Sequence, residues 1–517
     1  MPPQGMMMPT PHRPMPRGWR ERWMQRFGMN TAVASFGKGE LTIPNWVTGK
    51  SIAFFFVALF ACWGVFGYVP DFDLWIVAAI SVILFFYGGK YMSKNWSRTK
   101  EKRFLRNIYV AGFTIRLVWL LYVWFFFNMD HYGAQYGETA DVEWYMPFAH
   151  DLAQWITGDS PFTFAEIVKD NGAAIDDVGY PLWLAIGYAI WGEWSDAFIP
   201  LLIKCVLSAY CAVCIYRVAK RHFGEGVARM AAIFVCVNPN MIYWCGNMFK
   251  EAELVFLCCI TVDLLDKALS SGRQLTFKSL LPGIAVGFYL FFFRSALGLI
   301  VFLAVFAHII MASQKVMSTG KKVLAGILVA ATLFVGVGDR LRSQMEYMVG
   351  SAQSDRQAKN MEWRSERKDG SNSFAKYASA AVFAPLIFTI PFPTFNMAEA
   401  RQFLQAQLAG GSYIKNILSF FVILVMFMML ISGEWRRHVF ILAYTVGYLA
   451  ILVVSNYAQS GRFHMPIWPM LMLFAAYGIQ IGKSNARVRK WFPIVLVLEV
   501  VACLAWNWYK LKGRGMI

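Results

Sequence analysis

Long apolar stretches broken by short polar segments recur from about residue 52 to about residue 509. A hydrocarbon core about 30 Å thick takes about 20 helical residues to cross, so the pattern predicts repeated transmembrane helices and not a single anchor. Spans are predicted near 52–69, 74–89, 107–127, 197–217, 227–245, 252–269, 279–293, 295–313, 323–338, 413–432, 438–455, 464–482 and 491–509, about thirteen in all. Two further stretches, 180–194 and 377–393, are shorter, and the second carries Pro385, Pro391 and Pro393. Both read as interfacial or re-entrant segments, with a full span as the alternative.

The polar breaks differ in charge. The segment 90–106 holds Lys90, Lys94, Arg98, Lys100, Lys102, Arg103 and Arg106 against the single acid Glu101, which places it in the cytoplasm. The same threading puts Arg217, Lys220 and Arg221, then Lys315, Lys321 and Lys322, then Arg436 and Arg437, then Lys483, Arg487, Arg489 and Lys490 on that side. Residues 1–45 are rich in Pro, Met and Arg and lack a cleavable apolar core, so a cytosolic tail is expected. In it, Trp19, Trp23 and Phe27 share one face of a short interfacial helix, unless the tail is a disordered basic segment. Composition agrees with a membrane protein: 517 residues, 57% hydrophobic and 15% charged, with mean hydropathy +0.44. The net charge of +18 sits mostly in short loops, so it describes topology and not nucleic-acid binding. The nine cysteines lie in or beside apolar stretches without metal-knuckle spacing, which argues against a disulfide scaffold or zinc site.

Two long segments, 128–179 and 339–412, fall outside. The first carries Asp130, Glu138, Asp141, Glu143, Asp151, Asp159, Glu166, Asp170, Asp176 and Asp177 against one base, Lys169. From Val142 the positions Tyr145, Met146, Ala149, Leu152, Ala153 and Ile156 recur at helical spacing, predicting an amphipathic helix along the outer face with Pro147 in its first turn. Asp141 and Glu143 stand at its start, either as carboxylates facing a membrane cavity or as a helix cap and solvated loop acids. Arg294 and Arg462 fall at outer ends of spans, where a guanidinium can grip a lipid phosphate or simply snorkel. Lys250, beside Glu251, binds phosphate or pairs locally, and His464 orients an acceptor or is structural. Arg116 lies roughly 13 Å inside the 107–127 span, where a charge needs a partner. Asp263 is the expected one, in an ion pair that is structural rather than catalytic.

The stretch DVEWYMPFAHDLAQWITGD (Asp141 to Asp159), followed by VGYPLWLAIGYAIWG from Val178, resembles the first outer loop of GT-C glycosyltransferases, such as protein O-mannosyltransferases and lipid A aminoarabinose transferases. Asp141, Tyr145, Ala149, Gly179, Tyr180, Pro181 and Gly192 match that pattern in order; Val142 stands where a second acid is common, with Glu143 one further on. IYRVAKRHFG, NPNMIYWCGNMFKE, FFFRSALGLI and GRFHMPIWPMLMLFAAYG extend the resemblance over about 107–482. It implies an all-α polytopic GT-C bundle with a polyprenyl-phosphate-sugar donor and an acceptor that is a glycan, lipid or protein. The expected organisation is a tail (1–45), two extra spans with a basic loop (46–106), a catalytic region (107–482) and a terminal span (483–517). Asp141, with Glu143, is the expected catalytic carboxylate, acting as general base for an inverting transfer at the outer face of the inner membrane. Arg294, Arg462 and Lys250 bind the donor phosphate, and Tyr145 and His464 face the acceptor. If a divalent metal takes part, Asp141 and Glu143 are its expected ligands, although the sequence has no dedicated ligand cluster for one. The competing readings are a polysaccharide ligase or polymerase working from 339–412, with Arg356, Arg364, Arg367 and Lys368, and a transporter without chemistry.

Overall fold

The protein's structure, a computed structural model, describes residues 42–67, 72–128, 140–173, 177–192, 198–270, 277–311, 395, 406–454, 461–513, 515 and 517. Every regular element among them is helical. In chain order these are α1 (Asn45–Phe66), α2 (Phe72–Ile83), α3 (Gly89–Asn95), α4 (Glu101–Tyr122), α5 (Ala140–Thr157), α6 (Phe164–Asp170), α7 (Gly179–Trp191), α8 (Phe198–Phe223), α9 (Glu225–Cys236), α10 (Pro239–Tyr243), α11 (Glu251–Leu269), α12 (Phe277–Phe293), α13 (Ser295–Met311), α14 (Ala406–Ser432), α15 (Val439–Val454), α16 (Gly461–His464), α17 (Trp468–Ser484) and α18 (Ala486–Gly513). A π-helical stretch, Leu84–Gly88, joins α2 to α3. Another, Val123–Asn128, extends α4.

Among the described residues six segments are long and apolar enough to cross a membrane: 45–66, 75–95, 101–126, 198–223, 409–432 and 461–484, with shorter apolar helices at 278–293, 295–311 and 439–452. The fold is thus an all-helical membrane bundle; among the described residues length and composition mark six spans, and the expected count of about thirteen is not confirmed. The predicted span at 323–338, the stretch 377–393, the tail helix at 19–27 and nearly all of 339–412 lie outside the described residues. The predicted span at 227–245 is not one helix. Pro239 has no N–H to continue α9, and the Asn238 side chain instead accepts from the Met241 N–H at 3.1 Å, starting α10 as a separate helix.

At the centre lies α17, buried along nearly its whole length. Lipid gives helices no solvent to escape from, so close association rests on small residues and van der Waals contact. Gly478 shows this: a Cβ there would sit 2.6 Å from the Phe421 carbonyl oxygen of α14. Such a contact leaves no room for Ala without separating the helices.

The expected amphipathic helix forms as α5, with Tyr145, Phe148, Ala149, Leu152 and Ala153 buried. They pack on α7, where the His150 ring stacks on Tyr188 at 4.5 Å. Pro147 is not in the first turn, because the helix begins at Ala140; it lies inside, where its missing N–H leaves one carbonyl without its helical partner. The 180–194 stretch is α7, thirteen residues long and ended by Gly192 at φ 77°, and at about 20 Å it falls short of a perpendicular span.

Candidate functional site

Both α8 and α11 run from one end of the bundle to the other in the same direction. Lys204 near the start of α8 meets Glu253 near the start of α11 at 3.2 Å. Arg221 near the end of α8 meets Asp263 and Asp266 near the end of α11 at 2.8 and 2.6 Å. The first end, where α5 and α7 also lie, gathers the candidate site residues.

The scaffold there is the turn leading into α11. Tyr180 donates its hydroxyl proton to the Met248 carbonyl at 3.1 Å, and the buried Lys204 ammonium donates to the Phe249 carbonyl. Gly179 lets α7 approach the end of α12 closely, since a Cβ on it would lie 2.7 Å from the Phe292 backbone. Phe249, Lys250 and Glu251 are thereby held in series. Arg462, from α16, pairs through Nε with Glu251 and lies 4.6 Å over the Phe249 ring. Lys250 pairs with Asp177 at 2.7 Å and stands 5.8 Å over the Tyr145 ring.

Arg294 occupies the break between α12 and α13. Its N–H closes the first on the Leu290 carbonyl at 2.8 Å, and its own carbonyl accepts from Leu297 at 3.0 Å. The guanidinium lies 4.5 Å over the Phe463 ring and donates to the Tyr448 hydroxyl at 3.3 Å. Tyr448 in turn donates to the Phe463 carbonyl at 2.8 Å. Arg294 therefore stacks on the residue next to Arg462, and no carboxylate among the described residues pairs with it. Lys204, Lys250, Arg294 and Arg462 together form a cationic end that faces three carboxylates, Asp177, Glu251 and Glu253, in the described structure. Such an arrangement has capacity for an anion.

Asp141 and Glu143 lie in the first turn of α5, and their side chains fall outside the described residues. Their neighbours are informative. Tyr145, from the next turn, packs edge-on against Tyr180 at 5.0 Å, which sets the start of α5 against the anchored turn. The other acids of this segment divide clearly. Asp151 accepts from Asn171 at 3.0 Å, and Asp159 from Thr157 at 2.7 Å. Glu166 closes a capping box with Thr163, whose backbone N–H and hydroxyl hold its carboxyl below the usual range. Among the described acids of this segment, Asp177 is the one that reaches the cationic end.

Tyr145 and His464 are both buried. His464 faces α14, with the Lys415 ammonium 3.3 Å from its Nδ1. The expected Arg116–Asp263 pair is not formed. Arg116 is fully buried and donates to Ser208 Oγ at 2.8 Å and to the carbonyls of Gly112, Cys236 and Val235 at 3.0, 2.9 and 3.3 Å. The Cys236 and Val235 carbonyls are available because α9 ends there. Asp263 belongs instead to Arg221 and Arg217 at the opposite end. Sequence reasoning passed over Lys204 and Glu253, which carry the same signal as Arg116: a charge within or at the edge of an apolar run needs a partner. Among the described residues no group of three His, Cys, Asp or Glu side chains is arranged to hold a metal.

An all-helical membrane bundle with an acidic juxtamembrane segment docked beside a cationic end is the architecture expected of a GT-C glycosyltransferase. The particular relationship is to the Alg9-like mannosyltransferase family, whose sequence model matches residues 147–339, less than half of the chain, and this similarity supports a membrane glycosyltransferase of the GT-C type. The matched stretch contains Lys204, Lys250 and Arg294; Asp141 lies just before it and Arg462 well beyond it. No curated protein and no solved structure matches the chain.

Proposed function

We propose that the protein transfers a sugar from a polyprenyl-phosphate donor to an acceptor at the outer face of the inner membrane, with inversion at the anomeric carbon. The observation that carries this reading is that Arg294 and Arg462 each lie over an aromatic ring at one end of the bundle, Arg294 over Phe463, the chain neighbour of Arg462, and Arg462 over Phe249. A lipid phosphate whose chain stays in hydrocarbon meets the protein at such a level, and planar guanidinium forks suit its oxygens. In the proposed step the acceptor oxygen forms a bond to the anomeric carbon while its proton passes to the Asp141 carboxylate. The bond from that carbon to the phosphate oxygen breaks, and the electron pair leaves with the phosphate. Arg294, Arg462 and Lys250 stabilise this growing charge, while Glu143 assists the base. Tyr145 walls the acceptor side. The family's name makes mannose the sugar to test first and a glycan the first acceptor. The ligase or polymerase alternative depends on 339–412, nearly all of which lies outside the described residues.

The test is titration of the full-length protein in nanodiscs with a polyprenyl phosphate. Arg294→Ala and Arg462→Ala should each weaken binding by about 1.5 to 3 kcal/mol, the range for a lost hydrogen bond to a charged group. Arg→Lys at either position should weaken it less. Wild-type affinity in both Ala variants would make these arginines interfacial anchors and leave the donor site unassigned.

A further inference from the structure

Three ion pairs surround the turn into α11, and they differ in which partner is open. Lys204 and Glu253 are both enclosed, with side chains 0% and 3% exposed. In the Lys250–Asp177 pair the cation is enclosed and the acid 48% exposed. The third is the reverse: Glu251 is 1% exposed and Arg462 21%. A ligand approaching this last pair meets the arginine first, with the acid beneath it. Glu251 uses one oxygen for Arg462 Nε, while its second, Oε2, is buried without a hydrogen-bond partner among the described residues. An ionised carboxylate enclosed in this way is tolerable only while the cation compensates it. The Phe249 ring supports the guanidinium from a second direction. Both supports stand on backbone fixed by Tyr180 and Lys204.

We propose that Glu251 is a positioning residue for Arg462: it grips Nε from below and fixes the plane of the guanidinium, so that Arg462 meets the donor phosphate already oriented. This rests on the phosphate-binding reading of Arg462. The physical gain is entropic. A flexible arginine loses rotamer freedom on meeting a ligand, whereas one held by a carboxylate and a ring has lost it on folding. Glu251 touches no substrate, so its loss acts through Arg462 alone.

The test is a mutant cycle in nanodiscs, read by polyprenyl phosphate titration and by donor KM and kcat. Glu251→Gln keeps the volume and removes the charge, and should weaken polyprenyl phosphate binding by about tenfold. The loss should appear mainly in donor KM. With Arg462→Ala already present, Glu251→Gln should add almost nothing, whereas combined with Arg294→Ala the two losses should add. Wild-type affinity in Glu251→Gln, with Arg462→Ala weakened, overturns the positioning role and leaves the phosphate reading intact. Tighter binding in Glu251→Gln also overturns it, because Glu251 would then be competing with the ligand. Wild-type affinity in Arg462→Ala instead removes the reading on which the proposal rests. Should Glu251→Gln not fold, Arg462→Lys replaces it: one ammonium cannot serve both Glu251 and the phosphate as the fork does, so weaker binding is expected and unchanged affinity overturns the proposal.

Discussion

The two ends of α8 and α11 are built from the same residue types and use them differently. At the end carrying the basic loops, three carboxylates each serve two basic partners. Asp266 takes Arg221 at 2.6 Å and His222 at 2.7 Å, while Asp263 takes Arg221 and Arg217 at 2.8 and 3.4 Å. Glu225 takes Arg229 at 2.7 Å and Lys220 at 3.3 Å. Arg229 also bonds the carbonyls of Trp96 and Thr99, tying the 90–106 loop to α9, and His222 meets His438 at 2.8 Å, bringing in the Arg436–Arg437 turn. At the other end Glu253, Asp177 and Glu251 each serve one cation, and Arg294 pairs with no carboxylate among the described residues. A closed network holds helices together. An open one leaves charge that a ligand can complete, which is why the second end, and not the first, reads as a site.

The largest difference expected between the ends is all or none. If they face opposite sides of the membrane, Cys introduced by Ser160→Cys should react with an impermeant thiol reagent on intact spheroplasts and Ser97→Cys should not. The native cysteines give little background, since all nine are buried. The opposite labelling pattern would turn the topology over and end the proposed function as drawn. Next in size is Asp141→Asn, which should lower turnover by at least about 10²-fold with folding and donor binding near normal, as loss of a general base does. Glu143→Gln should do less. Full activity in both variants would make Asp141 a helix cap. The smallest effect on function is expected at the closed end. Asp266→Asn should cost about 1 to 3 kcal/mol of stability, seen as a lower thermal midpoint, because it strips a buried partner from Arg221 and His222. Its polyprenyl phosphate affinity should stay near wild type, since sites far apart couple weakly. A clear loss of affinity there would show that the two ends are not independent.

Much of the architecture is legible in the chain itself because the membrane imposes a one-dimensional rule. Apolar run length and the sign of loop charge fix helices and ends residue by residue, and the period of Tyr145, Ala149 and Leu152 fixes which face of α5 is buried. The ordered motifs from Asp141 to Gly478 likewise point to the glycosyltransferase class. Partnership was not legible, and Arg116 shows why. A guanidinium offers five donors that carbonyls can satisfy as well as a carboxylate can, and only the break of α9 at Pro239 supplies those carbonyls. Asp263 was thereby left to Arg221, one end of the bundle away. The pairing of Arg462 with Glu251, 211 positions apart in the chain, has the same origin. Hydropathy specifies how deep a charge lies, but which charges meet at that depth depends on how helices are arranged around α17, and that is settled by close packing at places such as Gly478 and Gly179.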